Sequence, residues 1–218
     1  MNIFLKKFSK LKIFLLFFIL LCIYTFVCAY SYATTLSSDI SNSLFRLHVI
    51  AASDSIEDQN LKYLVRDAII SYMNELLQST STKEEAIEIA SSHLNDFKQI
   101  AEQVISENGF DYSVNLEIGN FSFPTKTYGD ISLPAGYYDA LQIKIGEAEG
   151  QNWWCVLFPP LCFVDVSSGI VPEESKEVMK ESISSEGYSV ISETDSSIQF
   201  KFKILELFNF GNTQTAKK

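Results

Sequence analysis

The sequence predicts an α+β protein in which an N-terminal signal or anchor helix precedes an antiparallel or mixed sheet packed with two long amphipathic helices. Three patterns carry that expectation. An uncharged run of 18 residues lies near the N-terminus, two helical periodicities follow each other in the middle, and period-two alternation flanks them on both sides.

The uncharged run is Ile13 to Tyr30, IFLLFFILLCIYTFVCAY. Lys6, Lys7, Lys10 and Lys12 precede it, and the first acid is Asp39. A basic flank, an apolar stretch and then small residues make the layout of a secretory signal peptide, with Ser31 and Ala33, or Val27 and Ala29, before the cleavage point. At 1.5 Å per residue the run spans about 27 Å, close to the hydrocarbon thickness of a bilayer, so an uncleaved anchor is the alternative. Under both readings the lysines hold the N-terminus in the cytoplasm and residues beyond about 34 face outward, so the protein is expected to be exported. The expected division is 1–33 signal peptide or anchor, 34–43 polar tether, 44–170 main domain and 171–218 a helix-strand extension. The tether expectation rests on the Ser-rich stretch TTLSSDISNS.

The chain has 218 residues and a formal net charge of -10. Without the four flanking lysines, 13 basic side chains face 27 acidic ones. Such a body repels nucleic acid and anionic membrane, which leaves membrane contact to the N-terminal segment alone.

Leu44 to Ala51 alternates as a short strand, with Phe45, Leu47 and Val49 against Arg46 and His48. Ser53 or Asp54 is placed to cap the next helix. That helix keeps its stripe from Leu61 through Val65, Ile69 and Met73 to Leu77. Thr82 with Glu85 forms a capping box for a second helix, which Gly109 ends in a left-handed conformation. Tyr112 to Ile118, Tyr138 to Ile145 and Trp153 to Phe158 read as strands, with a structured loop over Phe121 to Gly136. Pro172 opens a short helix that Gly187 stops, and Ile198, Phe200, Phe202 and Ile204 alternate as a last strand.

Chemistry-bearing patterns are few. The sequence holds no GxSxG, HExxH, P-loop or GxGxxG. Asp165–Gly169 (DVSSG) superficially matches an aspartic-protease loop, but that chemistry shares a proton between two apposed carboxylates and no second copy exists. His93 reads as a surface residue. His48 reads as a solvated strand residue, without the paired His or Cys ligands of a metal site. No cofactor is expected.

The densest segment is Asn152–Asp165, NWWCVLFPPLCFVD. Cys155 or Cys162 as a nucleophile needs a base to form thiolate, and His48 and His93 are the only histidines. The alternatives are a disulfide, suited to an exported chain, and a plain hydrophobic hairpin. The two cysteines lie symmetrically about the Phe158–Pro159 bond, so a turn there places them opposite each other and requires a cis bond.

Three stretches carry a resemblance: RLHVIAASDSIEDQNLKYLVRDA at 46–68, FPTKTYGDISLPAG at 123–136 and NWWCVLFPPLCF at 152–163. Together, in order and spacing, they resemble stage II sporulation protein R of endospore-forming bacteria. The resemblance runs from about Leu44 to Gly169 and implies a protein made in the forespore and exported toward the mother cell. It implies as partner a membrane-embedded aspartic protease that cleaves the pro-sequence from sigma-E, and it supplies no catalytic residues. An exported cysteine-dependent hydrolase is the competing expectation. A ligand of this kind needs a contact surface, and the candidates are Trp153, Trp154, Phe158 and Pro159 with Tyr128, Tyr137 and Tyr138. In a strand, the two adjacent tryptophans point to opposite faces, so at least one is expected in the core.

Overall fold

A computed structural model of the chain describes residues 2–78, 80–162 and 171–192, with side chains described from Lys12 onward. The strand expected at 198–204 and the turn at 165–169 lie outside the described residues. The chain divides into two compact units, Met1–Ser38 and Asp39–Lys218.

The first unit is the greater part of α1 (Asn2–Asn42), and its span Lys12–Asn42 is long and apolar enough to cross a membrane. Ile13 to Tyr32 expose their apolar side chains along it. The expected tether at 34–43 is helical instead, and α1 continues to Asn42. Its last turn belongs to the second unit. There Ile40 is fully buried, the Asp39 carboxylate accepts from Ser184 N at 3.2 Å and Ser184 Oγ at 2.6 Å, and Lys83 Nζ donates to Asn42 O at 3.0 Å. Ser and Thr suit a linker by composition, but Ile40 and Asp39 anchor this turn to the body and Lys83 satisfies one of the last helix carbonyls in place of water.

The second unit is a four-stranded mixed sheet with helices on one face. β1 (Phe45–Ile50) lies inside the sheet, between β5 (Gly136–Ile145), to which it is parallel, and β6 (Asn152–Phe158), to which it is antiparallel. β2 (Val114–Phe123) closes the other side against β5, giving the order β2-β5-β1-β6. Phe45, Leu47, Val49, Leu141, Ile143 and Cys155 point to the helical face.

Three helices cover that face. α2 (Ile56–Leu76) buries Leu61, Val65, Ile69 and Met73, the expected stripe. Its cap is Ser55, whose Oγ accepts from Asp58 N at 3.1 Å, and not Ser53 or Asp54. Ser53 instead donates to the Asp58 carboxylate and accepts from Ser55 N, shaping the turn before the helix. The single helix expected from Thr82 is two, α3 (Lys83–Ser92) and α4 (Leu94–Glu107). They meet at His93, where Asp96 Oδ2 lies 2.7 Å from His93 Nδ1 and accepts from the Tyr72 hydroxyl at 3.1 Å. Thr82 caps α3 through Glu85 N as expected, but Glu85 reaches back to Ser81 N, one residue earlier than in a capping box. Gly109 ends α4 at φ +81°.

The expected loop at 121–136 holds more order. β2 runs to Phe123, and β3 (Lys126–Tyr128) pairs antiparallel with β4 (Ile131–Leu133). The helix expected from Pro172 to about Glu186 is also split, into α5 (Glu173–Ser182) and α6 (Ser185–Ser192). Gly187 lies inside α6 rather than stopping it, because Ser184 caps the new helix through Gly187 N and a Cβ at 187 would crowd Ile183. Asp130, at the β3–β4 turn, accepts from Val171 N and pairs with Lys176 Nζ at 2.7 Å, tying this pair of helices to the hairpin.

Candidate functional site

The sheet face without the main helices carries the chemistry. Arg46 and His48 lie on it from β1, Gln142 from β5 and Trp154 from β6. Contrary to the solvated-strand expectation, Arg46 and His48 are buried. β1 is interior to the sheet, and Phe123, Tyr128 and Tyr138 cover the side of the strand that alternation assigned to water.

Arg46 is fully buried, with its guanidinium 4.0 Å from the Phe123 ring centre and 4.7 Å from that of Tyr138. Desolvated stacking of this kind contributes about 2 kcal/mol per ring. Nη2 donates to the Tyr128 hydroxyl at 2.8 Å, and that hydroxyl donates in turn to Trp154 O at 3.1 Å. Nη1 has no partner. Burial pushes the Tyr128 phenol above its ordinary pKa while Arg46 opposes the shift.

His48 is held at both nitrogens. Nε2–H donates to Asn152 Oδ1 at 2.7 Å, and Gln142 Nε2 donates to Nδ1 at 2.8 Å. Its ring stacks on Trp154 at 3.8 Å between centres. Burial lowers its pKa from 6.5 to about 4, with the Asn152 hydrogen bond working against that and the charges of Lys144 and Arg46 adding to it. At neutral pH it is an uncharged, doubly bonded strut.

Cys155 and Cys162 form a disulfide with Cα atoms 5.3 Å apart, across a turn whose Phe158–Pro159 bond is cis. Cys155 is paired in register with Leu47 and His48 with Trp154, so the cysteine and the histidine sit on opposite faces of the sheet. With the two cysteines bonded to each other neither presents a thiolate, and Cys155 faces away from His48.

The seven candidate contact residues separate by depth. Phe158, Pro159 and Tyr138 are buried, and so lie beneath the surface they were expected to form. Phe158 packs into the core beside Leu157, and Tyr138 meets Phe123 edge-on at 5.6 Å with its hydroxyl donating to Pro134 O. Trp153, Trp154 and Tyr128 are half-buried, and Tyr137 is 51% exposed. Trp153 faces the helices, where Arg66 lies 4.2 Å from its ring centre and Tyr63 meets it edge-on at 5.6 Å. Alternation does place the tryptophans on opposite faces, and both stop short of the core because they stand at the β6 end beside Asn152.

A helix long enough to cross a membrane and an α+β body whose two described-region cysteines are bonded to each other define a class: a folded body carried by an N-terminal signal or anchor helix. The family model for stage II sporulation protein R matches residues 41–168, and the chain belongs to that family. Stage II sporulation protein R of Bacillus subtilis (strain 168) is 41% identical over 143 residues, which covers 65% of this chain and 64% of that protein. No solved structure matches the chain.

Proposed function

We propose that this protein is an exported sporulation signal, a ligand and not an enzyme, which acts from the forespore side on a membrane-embedded aspartic protease of the mother cell and so promotes cleavage of pro-sigma-E. The observation that carries the reading is the family match over residues 41–168 joined to a lysine-flanked apolar helix. The four lysines favour a cytoplasmic N-terminus and an outward body. The locked histidine and bonded cysteines suit a molecule that works by binding. Such a ligand activates by binding the active receptor state more tightly than the resting one.

The test is co-production of the full chain with the protease and pro-sigma-E in a non-sporulating bacterium. Shortened sigma-E is expected only when the chain is present, and removal of residues 2–33 is expected to abolish it by keeping the body inside. Processing that is the same with and without the chain, while a constitutively active protease still cuts, sinks the proposal.

A further inference from the structure

Among the described residues of the second unit, the large apolar side chains that stand exposed are Ile56 (76%), Tyr63 (37%), Leu64 (45%) and Tyr137 (51%). Three of the four are on α2, at spacings of seven and eight residues, which places them on one side of the helix. Leu61, Val65 and Ile69 on the opposite side of α2 fill the core, and Ile70, seven residues after Tyr63, marks where the exposed stripe gives way to buried contacts. Ile56 and Leu64 are therefore additional to what folding requires, while Tyr63 is partly engaged with Trp153.

Trp153 extends the stripe onto the sheet. Tyr63 packs edge-on against it, and Arg66 lies over both rings, at 4.2 Å from Trp153 and 4.9 Å from Tyr63. Arg66 is itself paired with Asp67, so its charge is already answered. Trp153 Nε1 is buried without a hydrogen-bond partner. The aromatic group is pre-ordered before any partner arrives, which lowers the entropy lost on binding.

The exposed charges at the start of the stripe are acidic, and the nearby Lys62 ammonium, 4.7 Å from the Tyr63 ring centre, is buried. Asp54 and Glu57 flank Ile56 at the start of α2. Glu147 and Glu149 come beside them because Glu149 N donates to Ala52 O and Gly150 N to Ala51 O. All four are exposed, and none forms an ion pair among the described residues. Gly150 is what permits the approach, since a Cβ there would overlap the Ser53 carbonyl.

We infer that the α2 stripe with Trp153 is the docking surface for a basic amphipathic segment of a partner protein. Apolar side chains of that segment cover Ile56, Tyr63 and Leu64, and its lysines or arginines meet Asp54, Glu57, Glu147 and Glu149. An anionic bilayer would be repelled by the same four carboxylates, which argues against lipid as the occupant. The identity of the partner rests on the proposed function, in which it is the outward-facing part of the protease.

The experiment places a photo-crosslinking amino acid at position 56, 63 or 137 of the full chain, in cells that make the protease and pro-sigma-E. Positions 56 and 63 are expected to capture the protease and position 137 to capture nothing. Ile56→Glu with Leu64→Glu is expected to weaken stimulation about tenfold or more, as loss of apolar anchors does, at an unchanged melting temperature. Glu57→Lys with Glu149→Lys is expected to weaken it too. Capture of lipid alone, capture of nothing at 56 and 63, or variants that stimulate like the wild type overturns the inference. A wild-type chain that stimulates no processing overturns the proposed function instead. The docking surface is then judged by the crosslink, which reads contact and not activation.

Discussion

His48 shows how a single buried ring sets the acid sensitivity of the fold. Its pKa is lowered from 6.5 to about 4 in the native protein, first by burial. A histidine whose folded pKa is depressed contributes stability that is complete above the unfolded value. That stability is lost as pH falls from about 6.5 through 4, because the unfolded chain binds the proton first. The window follows from those two values, and between pH 7 and pH 5 the loss is about 2 kcal/mol. We predict that His48→Gln, compared with the wild type by denaturant titration at pH 7 and pH 5, removes this part of the pH dependence. Equal slopes with pH in the two proteins would mean that His48 is solvated after all. Arg46 beside it lies against the Phe123 and Tyr138 rings and donates to the Tyr128 hydroxyl, so the two polar residues of β1 are held by different means. Neither arrangement is readable from the local sequence. Alternation showed that Arg46 and His48 share a face, but their partners Tyr128, Gln142 and Asn152 come 82 to 104 residues later. Which face of an interior strand is covered depends on those distant segments.

The helices and strands were legible where one periodic stripe meets one core. α2, β5 and β6 fall within two residues of the spans their patterns indicate. The split at His93 was not, because no Gly or Pro marks it and the apolar stripe continues across it through Ala90, Phe97 and Ala101. The last turn of α1 was misread for the opposite reason. Its composition is that of a linker, whereas Ile40 is fully buried and Asp39 holds both polar groups of Ser184. Loss of a fully buried isoleucine side chain costs about 2–5 kcal/mol. We predict that Ile40→Ala in the full chain destabilises the body by that amount in chemical denaturation, while Thr35→Ala, at an exposed position of the same helix, changes it by less than about 0.5 kcal/mol. If the two variants unfold together with the wild type, residues 39–42 are a tether as their composition suggests. The outcome also decides where the body begins, since processing near Ala33 would leave this turn in place.

Across the molecule, compartment and fold are joined by the disulfide. Cys155 lies in the core on β6, Cys162 is half-buried beyond the Phe158–Pro159 turn, and the bond between them closes a loop of eight residues. On the chain-entropy model that closure is worth about 2.5 kcal/mol, a large share of a typical stability of about 5–15 kcal/mol. Such a bond persists outside a thiol-buffered space, and on the proposed function the lysine-flanked helix is the feature that would take the body there. A body kept in the cytoplasm would hold Cys155 and Cys162 as thiols and be less stable by that margin. We predict that alkylation of acid-quenched cells leaves both cysteines unmodified in the full chain and modifies both in a chain lacking residues 2–33. Cys22 and Cys28 sit exposed on α1 and are replaced by serine beforehand so that they do not confuse the count. Double substitution Cys155→Ser with Cys162→Ser should then lower the unfolding midpoint of the exported chain and leave that of the retained chain almost unchanged. Free thiols in the exported chain would dissolve this link. If the thiols are blocked but the serine variant is equally stable, the bond forms there without holding the fold.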